Sequence, residues 1–350
     1  MRFRCSLSLC VFALVLSAAS ARASETDQFT LPTAPLDDVG HDLAARVLEI
    51  VHAEAARLNL EIDAKIQGDP GASVPPLDEY AVLTHIYQEV GVGIPESTLE
   101  RAIRYGDFGA RNVRFQPAYT DSIYAWVFSP VPFALLAPAQ SPTVKVYGVE
   151  LGTDKIGHIF QQGYEYFNLY TGARSRGADE KSAAASAVRY GVLSEDGIYG
   201  VMLTGVYSNG DLAANYAGFK FYDNLLHSVR IGESTLPPIL VRDGAHWIVA
   251  PERDNADLMK PYITEHLNEA FNPSKYLFSV ERIRKYVRER CSRWVQEVPG
   301  FDEASYRAHL ERTKTWYGED YGWDLPADDA ATLLVCFAPQ APLDRDPSAM

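Results

Sequence analysis

The 350-residue sequence is short of cysteine, with four in all, and two of these, Cys5 and Cys10, fall in its first ten residues. No cysteine-rich metal spacing is present, and neither is His-Glu-x-x-His, Gly-x-Ser-x-Gly or a phosphate-binding glycine loop. The chain therefore lacks the signatures of a zincin, an α/β-hydrolase and a P-loop enzyme. Positive charge is also scarce: 32 Lys and Arg stand against 46 Asp and Glu, a formal net charge of −14. That balance disfavours nucleic acid and anionic lipid as bulk partners. No internal repeat is found. The apolar run from about Leu7 to Leu16 is too short for a comfortable membrane span.

What the N-terminus does have is the layout of a secretory signal peptide. Arg2 and Arg4 precede the apolar run, and small residues lead to Ala21-Arg22-Ala23, an A-x-A cleavage site. No lipobox-like cysteine lies beside it, so a periplasmic or secreted chain with no transmembrane span is expected. Cleavage after Ala23 leaves 350 − 23 = 327 residues, and losing Arg2, Arg4 and Arg22 takes the charge to −17. Cys291 and Cys336 then remain. In an oxidising compartment they read as one disulfide tying the C-terminal segment to the preceding helix; two unpaired buried thiols are the alternative.

Hydrophobic spacing predicts a mainly α fold with minor β, namely one short strand and one hairpin. Its expected layout is a leader at 1–23, an N-terminal segment at 24–66, a linker at 67–76, a main helical domain at 77–325 and a tail at 326–350. Helices are expected over Asp37–Asn59, Glu79–Val90, Thr98–Tyr105, Asp154–Tyr170, Asp179–Tyr190, Asp211 to about Val229, and Ser279–Val295. Thr143–Leu151 alternates as a strand, and Asp243-Gly244 between β-branched runs marks the hairpin. Phe115–Gln140, aromatic and proline-rich, is expected to be a packed loop region. Arg282, Arg284, Lys285, Arg288 and Arg293 form one face of the last helix and read as a solvated face.

The chemistry-bearing residues concentrate in two helical stretches. Asp154 and His158 are four apart and share a face, whereas Lys155 points about 100° away. In the later stretch Asp211 and Asn215 share a face, and Gly218 continues it one turn on, where a glycine admits another helix closely. Between them lie Glu195 and Asp196 at an expected helix end. Thr153 and Ser208 can act as caps, with Asp154 and Asp211 in first turns. Capping accounts for the aspartates, but not for His158 or Asn215.

Taken in order, Asp154-Lys155-x-x-His158, Glu195 and Gly205-x-x-Ser208-x-x-Asp211-Leu-x-Ala-Asn215-x-x-Gly218 resemble the core of the VanZ-like and YfiM-like bacterial envelope families. The likeness spans about Gly152 to Lys220. It implies an envelope location and a shared polar site, and brings no settled reaction. The chain departs from the pattern in having no multiple membrane spans, and Ser194 where a lysine often precedes the glutamate. A fainter resemblance is to goose-type lysozymes and lytic transglycosylases, through GVML (Gly200–Leu203) and AANYAGFKFYDNLL (Ala213–Leu226). There Leu203 replaces a glutamine, the Asn-to-Gly spacing is one residue short, and the acid is at best Glu180-Lys-Ser182. This second likeness implies a lysozyme-like helical core.

Glycoside cleavage requires a protonated acid and a second carboxylate or stabilising group. Glu195, beside Ile198, Tyr199 and Met202, is the expected general acid, with Glu180 as the rival. Asp211 or Asp154 (or Tyr207) would assist. Lys155, His158 and Asn215 would orient substrate or hold the carboxylates, with Ser208 nearby. The expected partner is a cell-wall polysaccharide, onto which Tyr164, Tyr166 and Tyr170 could stack. No cofactor is expected. Of a different class is a non-catalytic envelope factor in which the same polar network fixes helix packing. A metal-dependent hydrolase using Asp154, His158 and Asp211 is the third reading; His266 and Glu269 form a further spaced pair.

Overall fold

A central helix with almost no solvent-facing side organises the protein. A computed structural model describes residues 24–68, 79–93, 96–106, 108, 112–124, 139–197, 200–201, 205–277 and 279–338. The expected leader, most of the linker, and Ile198, Tyr199, Met202 and Leu203 lie outside these residues. The fold is mainly α with small strand pairs, as its sequence pattern predicts.

The helices are α1 (Gly40–Gly68), α2 (Glu79–Val90), α3 (Thr98–Tyr105), α4 (Thr153–Phe160), α5 (Gln162–Ser175), α6 (Glu180–Glu195), α7 (Asn209–Asn224), α8 (Val280–Glu297) and α9 (Glu303–Thr313). α7 is the central one. Alanines, aromatics and glycine let neighbours bury it nearly all round, with Asp211 and Asn215 as polar residues within the buried surface. Gly163 of α5 and Gly218 of α7 meet backbone to backbone. A Cβ on Gly218 would stand 2.0 Å from the carbonyl oxygen of Ile159, and one on Gly163 would stand 2.5 Å from the Gly218 Cα. The close approach expected at Gly218 is thus present.

Several expected elements differ in extent. The stretch read as one helix from Asp154 to Tyr170 is two, α4 and α5, because the chain turns at Gln161 (φ −91°, ψ −69°). The Gln161 amide donates to the Gly93 carbonyl there. α7 stops at Asn224, short of Val229, where the Asn224 amide donates to the carbonyls of His227 and Pro237. α1 continues through Gly68 into the stretch read as linker. The helix α9 carries no expectation above; its Asp302–Ser305 capping box uses serine where the usual signal is Glu or Gln.

The supposed single strand at Thr143–Leu151 is a hairpin, β4 (Thr143–Val146) and β5 (Val149–Gly152), with β2 (Arg114–Phe115) on its other edge. Its turn, Tyr147-Gly148, has φ of 48° and 82°. Asp38 holds that costly geometry by accepting from both turn amides at 2.8 and 2.6 Å. The predicted Asp-Gly hairpin appears as β9 (Leu240–Asp243) and β10 (His246–Val249), clamped to α1 by Asn59. Short pairs complete the set: β1 (Ser24–Glu25) beside β3 (Ala139–Gln140) in parallel, β6 (Val206–Tyr207) with β11 (Lys275–Tyr276), and β7 (Val229–Ile231) with β8 (Ser234–Leu236).

A second apolar cluster joins both ends of the described chain to α8, through Phe29, Ile283, Val287, Trp294, Tyr306 and Leu333. Cys291 and Cys336 are disulfide-bonded across it, with Cα atoms 5.2 Å apart. The basic face of α8 is less solvated than its pattern suggests. Arg284 donates to the carbonyls of Ala327 and Ala330, and Arg293 to those of Leu31 and Pro32. These arginines fasten the two ends, which single-helix periodicity does not reveal.

Candidate functional site

The turn from β5 into α4 sets the first wall of the site. Gly152 occupies the N-cap position, where a Cβ would collide with Asp154 Oδ1 and Thr26 Oγ1, each 2.1 Å away. Thr153, expected as a cap, makes no capping bond; its hydroxyl is buried with no hydrogen-bond partner. Asp154 accepts instead from the Thr26 hydroxyl at 2.6 Å.

Lys155 is the centre of the arrangement. Its side chain is 0% exposed, and its ammonium lies 2.6 Å from Asp154, 2.6 Å from Asp211 and 2.5 Å from Glu269. Helical phase places the lysine 100° from Asp154, yet a long stem and the bare backbone of Gly210, 2.8 Å from Lys155 Cε if it bore a Cβ, return it to the same point. Oxygens of the three carboxylates lie within 4.8 Å of one another, a spacing suited to a cation. The ammonium already occupies that role, donating to Asp154 and Glu269 and lying in charge contact with Asp211.

The second wall is the start of α7. Ser208 Oγ accepts from the Asp211 amide at 3.1 Å and lies 3.4 Å from Glu269. The Ser208 amide points to Glu195 at 3.4 Å, so Glu195, and not Asp211, completes the cap. Asp211 Oδ2 lies 3.2 Å from His158 Nε2, while His158 Nδ1 lies 2.9 Å from the Asn215 side-chain oxygen. With an acceptor at each nitrogen, the ring is held as imidazolium. His158 is 19% exposed and so reaches solvent, unlike Lys155. The two expected faces do meet.

The protonation states follow from this crowding. Burial opposes charge on His158, but the Asp211 charge and hydrogen bond outweigh it and push the imidazole up to about 9. Burial likewise opposes ionisation of Asp211; the His158 and Lys155 charges prevail and hold it well below the usual carboxylate range. Glu195 goes the other way. Burial, then the negative charge of Asp211, push it up to about 8. Burial raises Glu269 to about 7 despite Lys155. Glu25 is raised well above its usual value by burial and by Glu269 and Asp211.

Some expected members stand elsewhere. Glu180 is exposed at the first turn of α6, whose opposite end carries Glu195. Tyr207 is buried, donates to the Gly322 carbonyl and lies under the Lys275 ammonium at 3.6 Å. Tyr164, Tyr166 and Tyr170 are core residues, Tyr164 being stacked on Tyr87 at 4.1 Å. His266 is turned away from Glu269, toward Thr264 and the Thr315 carbonyl. Conversely, sequence reasoning missed Glu25, Thr26, Glu100 and Tyr124. Tyr124 donates to Glu269 at 3.1 Å. Glu100 packs against Gly157 and is pushed up to about 8, chiefly by burial and then Asp154. None lies within the motif-bearing stretch, and their sequence neighbours carry no signal of a buried polar cluster.

Among the described residues, no helix is long and apolar enough to cross a membrane. Comparison with protein-family models, with curated proteins and with solved structures gives no match to this chain.

Proposed function

We propose that the protein is an exported cell-envelope hydrolase acting on a cell-wall glycan, with Glu195 as general acid and Asp211 as its ionised partner. What supports this reading is the unlike setting of two buried carboxyls. Glu195 has a Ser208 amide at 3.4 Å, and burial and the Asp211 charge push it up to about 8, whereas Asp211 lies 2.6 Å from the Lys155 ammonium and 3.2 Å from His158, which hold it low. Glycoside cleavage needs that division: one acid to protonate the leaving oxygen, one carboxylate to activate water or stabilise the cation. Lys155, His158 and Asn215 serve to fix Asp211 in its charged state. The signal-like N-terminus and the envelope-family resemblance support the location, and the fainter lysozyme likeness supports the substrate class.

A second reading has its own support. Lys155 is wholly enclosed, and Glu195 and Asp211 are only 5% and 6% exposed, as suits a charged hub that locks α4 against α7. Glu195→Gln separates the two. A glutamine matches the neutral, protonated glutamate in charge and size, so the fold should keep its stability to within about 1 kcal/mol. Release of fragments from bacterial peptidoglycan by the mature protein should fall at least about 100-fold, the usual worth of a general acid. Equal absence of release from both proteins across several glycans would leave only the hub.

A further inference from the structure

The β4–β5 hairpin carries two opposite charges on one face. Strand alternation turns Val144, Val146 and Leu151 into the core, where all three are fully buried. Lys145 and Glu150 are cross-strand partners and so share the other face. Among the described residues, neither side chain makes a hydrogen bond or an ion pair, even with the other. Both line a cleft of about 450 Å³, within the range of small-molecule sites. Apolar walls come from Leu31 and Pro32 of the N-terminal segment, from Phe271, and from Val298 after α8. Glu265 and Glu297 also line it, but each already has a base: His309 lies 3.0 Å from Glu265, and Arg293 lies 2.6 Å from Glu297. Glu150 is set differently. The side-chain amides of Gln28 and Asn268 donate to its carbonyl at 2.8 and 2.9 Å, which fixes its backbone at the cleft. Burial pushes its carboxyl up, and the opposing Lys145 charge does not cancel that cost.

We propose that this cleft binds a small zwitterion with an apolar body, an amino acid or short peptide with both ends free. The ligand's ammonium meets Glu150, its carboxylate meets Lys145, and its apolar part lies along Leu31, Phe271 and Val298. A ligand charged at one end only would leave the other group without a partner in a partly desolvated site, which is unfavourable. Gln28 also accepts from the Glu269 amide, so one side chain joins the cleft to the buried cluster. Lys155, His158, Glu195 and Asp211 do not line the cleft. Binding here is therefore independent of whether the buried cluster is catalytic or structural.

Isothermal titration calorimetry with leucine and with leucyl-leucine tests the proposal. At least one of them should bind saturably at millimolar concentration or below, leucine the tighter if the ligand is a free amino acid and leucyl-leucine if it is a peptide. N-acetylation and carboxyl amidation of the bound compound should each weaken binding at least about 10-fold, the usual worth of one charge-assisted hydrogen bond. Glu150→Gln should remove the penalty of acetylation, and Lys145→Met that of amidation. No saturable binding of either compound, binding indifferent to both blocking groups, or penalties in the variants equal to those of wild type would each overturn the proposal. Neither side chain has a partner in the fold, so both variants should melt as wild type does. The blocked ligands are measured on the unmodified chain, so a poorly folding variant does not remove the test.

Discussion

Replacing Lys155 by methionine removes one charge from the point where three carboxylates converge. The stem is kept, so packing changes little and the loss is electrostatic. Removing one partner of a buried ion pair costs about 3–5 kcal/mol, because the other charge is left uncompensated. Here Asp154, Asp211 and Glu269 all lie within 2.6 Å of the lost ammonium, and the upper end, about 5 kcal/mol, is expected at pH 7. That equals the whole stability of a marginal domain. Below about pH 5 the orphaned acids take up protons, so the deficit should shrink to less than half. Urea unfolding of wild type and variant at pH 5 and pH 7 reads both numbers. Adding Glu269→Gln to the variant should restore part of the loss. A deficit under about 1 kcal/mol at pH 7, or one equal at both pH values, would refute the central place given to Lys155.

Other perturbations bear on the same geometry. Because His158 is raised to about 9, it adds stability in full below its unfolded value near 6.5 and loses it as pH climbs through 9; at about 1.36 kcal/mol per pH unit this is roughly 3 kcal/mol. Glu195, raised to about 8, keeps a proton that the unfolded chain releases near 4.5, so it too withdraws stability as pH rises. Asp211, held low, adds stability above the ordinary carboxylate range and loses it only in strong acid. Chemical denaturation across pH 6–9 should show falling stability; a flat or rising profile would contradict these assignments. At the α5–α7 crossing, Gly218→Ala should cost about 1–3 kcal/mol or more by overpacking, since the added carbon meets the Ile159 carbonyl. A thermal melt unchanged by that substitution would place the helices farther apart.

Much of the site was legible because local periodicity carried it. Asp154 and His158, and Asp211 and Asn215, stand at i, i+4 spacing, with Gly218 three residues further on, and the structure brings those faces together. Ser208 was readable as a cap. Phase alone misplaced Lys155, since a helical wheel records where a side chain leaves the backbone and not where a four-carbon stem ends. Glu25 and Glu100 reach the cluster by tertiary contact from segments with no motif, and nothing in their neighbours advertises a buried charge. Glu269 was visible only as half of a pair with His266, on the assumption of an α-helix; the chain there is a 3₁₀ turn at Glu265–Leu267, which points the two apart. The β4–β5 hairpin was hidden because Tyr-Gly is a weak turn signal, made workable by Asp38 far upstream.

The charge state of Glu195 is the premise on which the functional proposal rests. Its side-chain carboxyl can be followed directly, by carbon-13 NMR of glutamate-labelled mature protein, with Glu195→Gln assigning the resonance. The account predicts a midpoint near 8, with Asp211 ionised throughout the range. A midpoint at the ordinary glutamate value of about 4.3 would contradict it, and would leave the cluster without the protonated acid that the proposed chemistry requires.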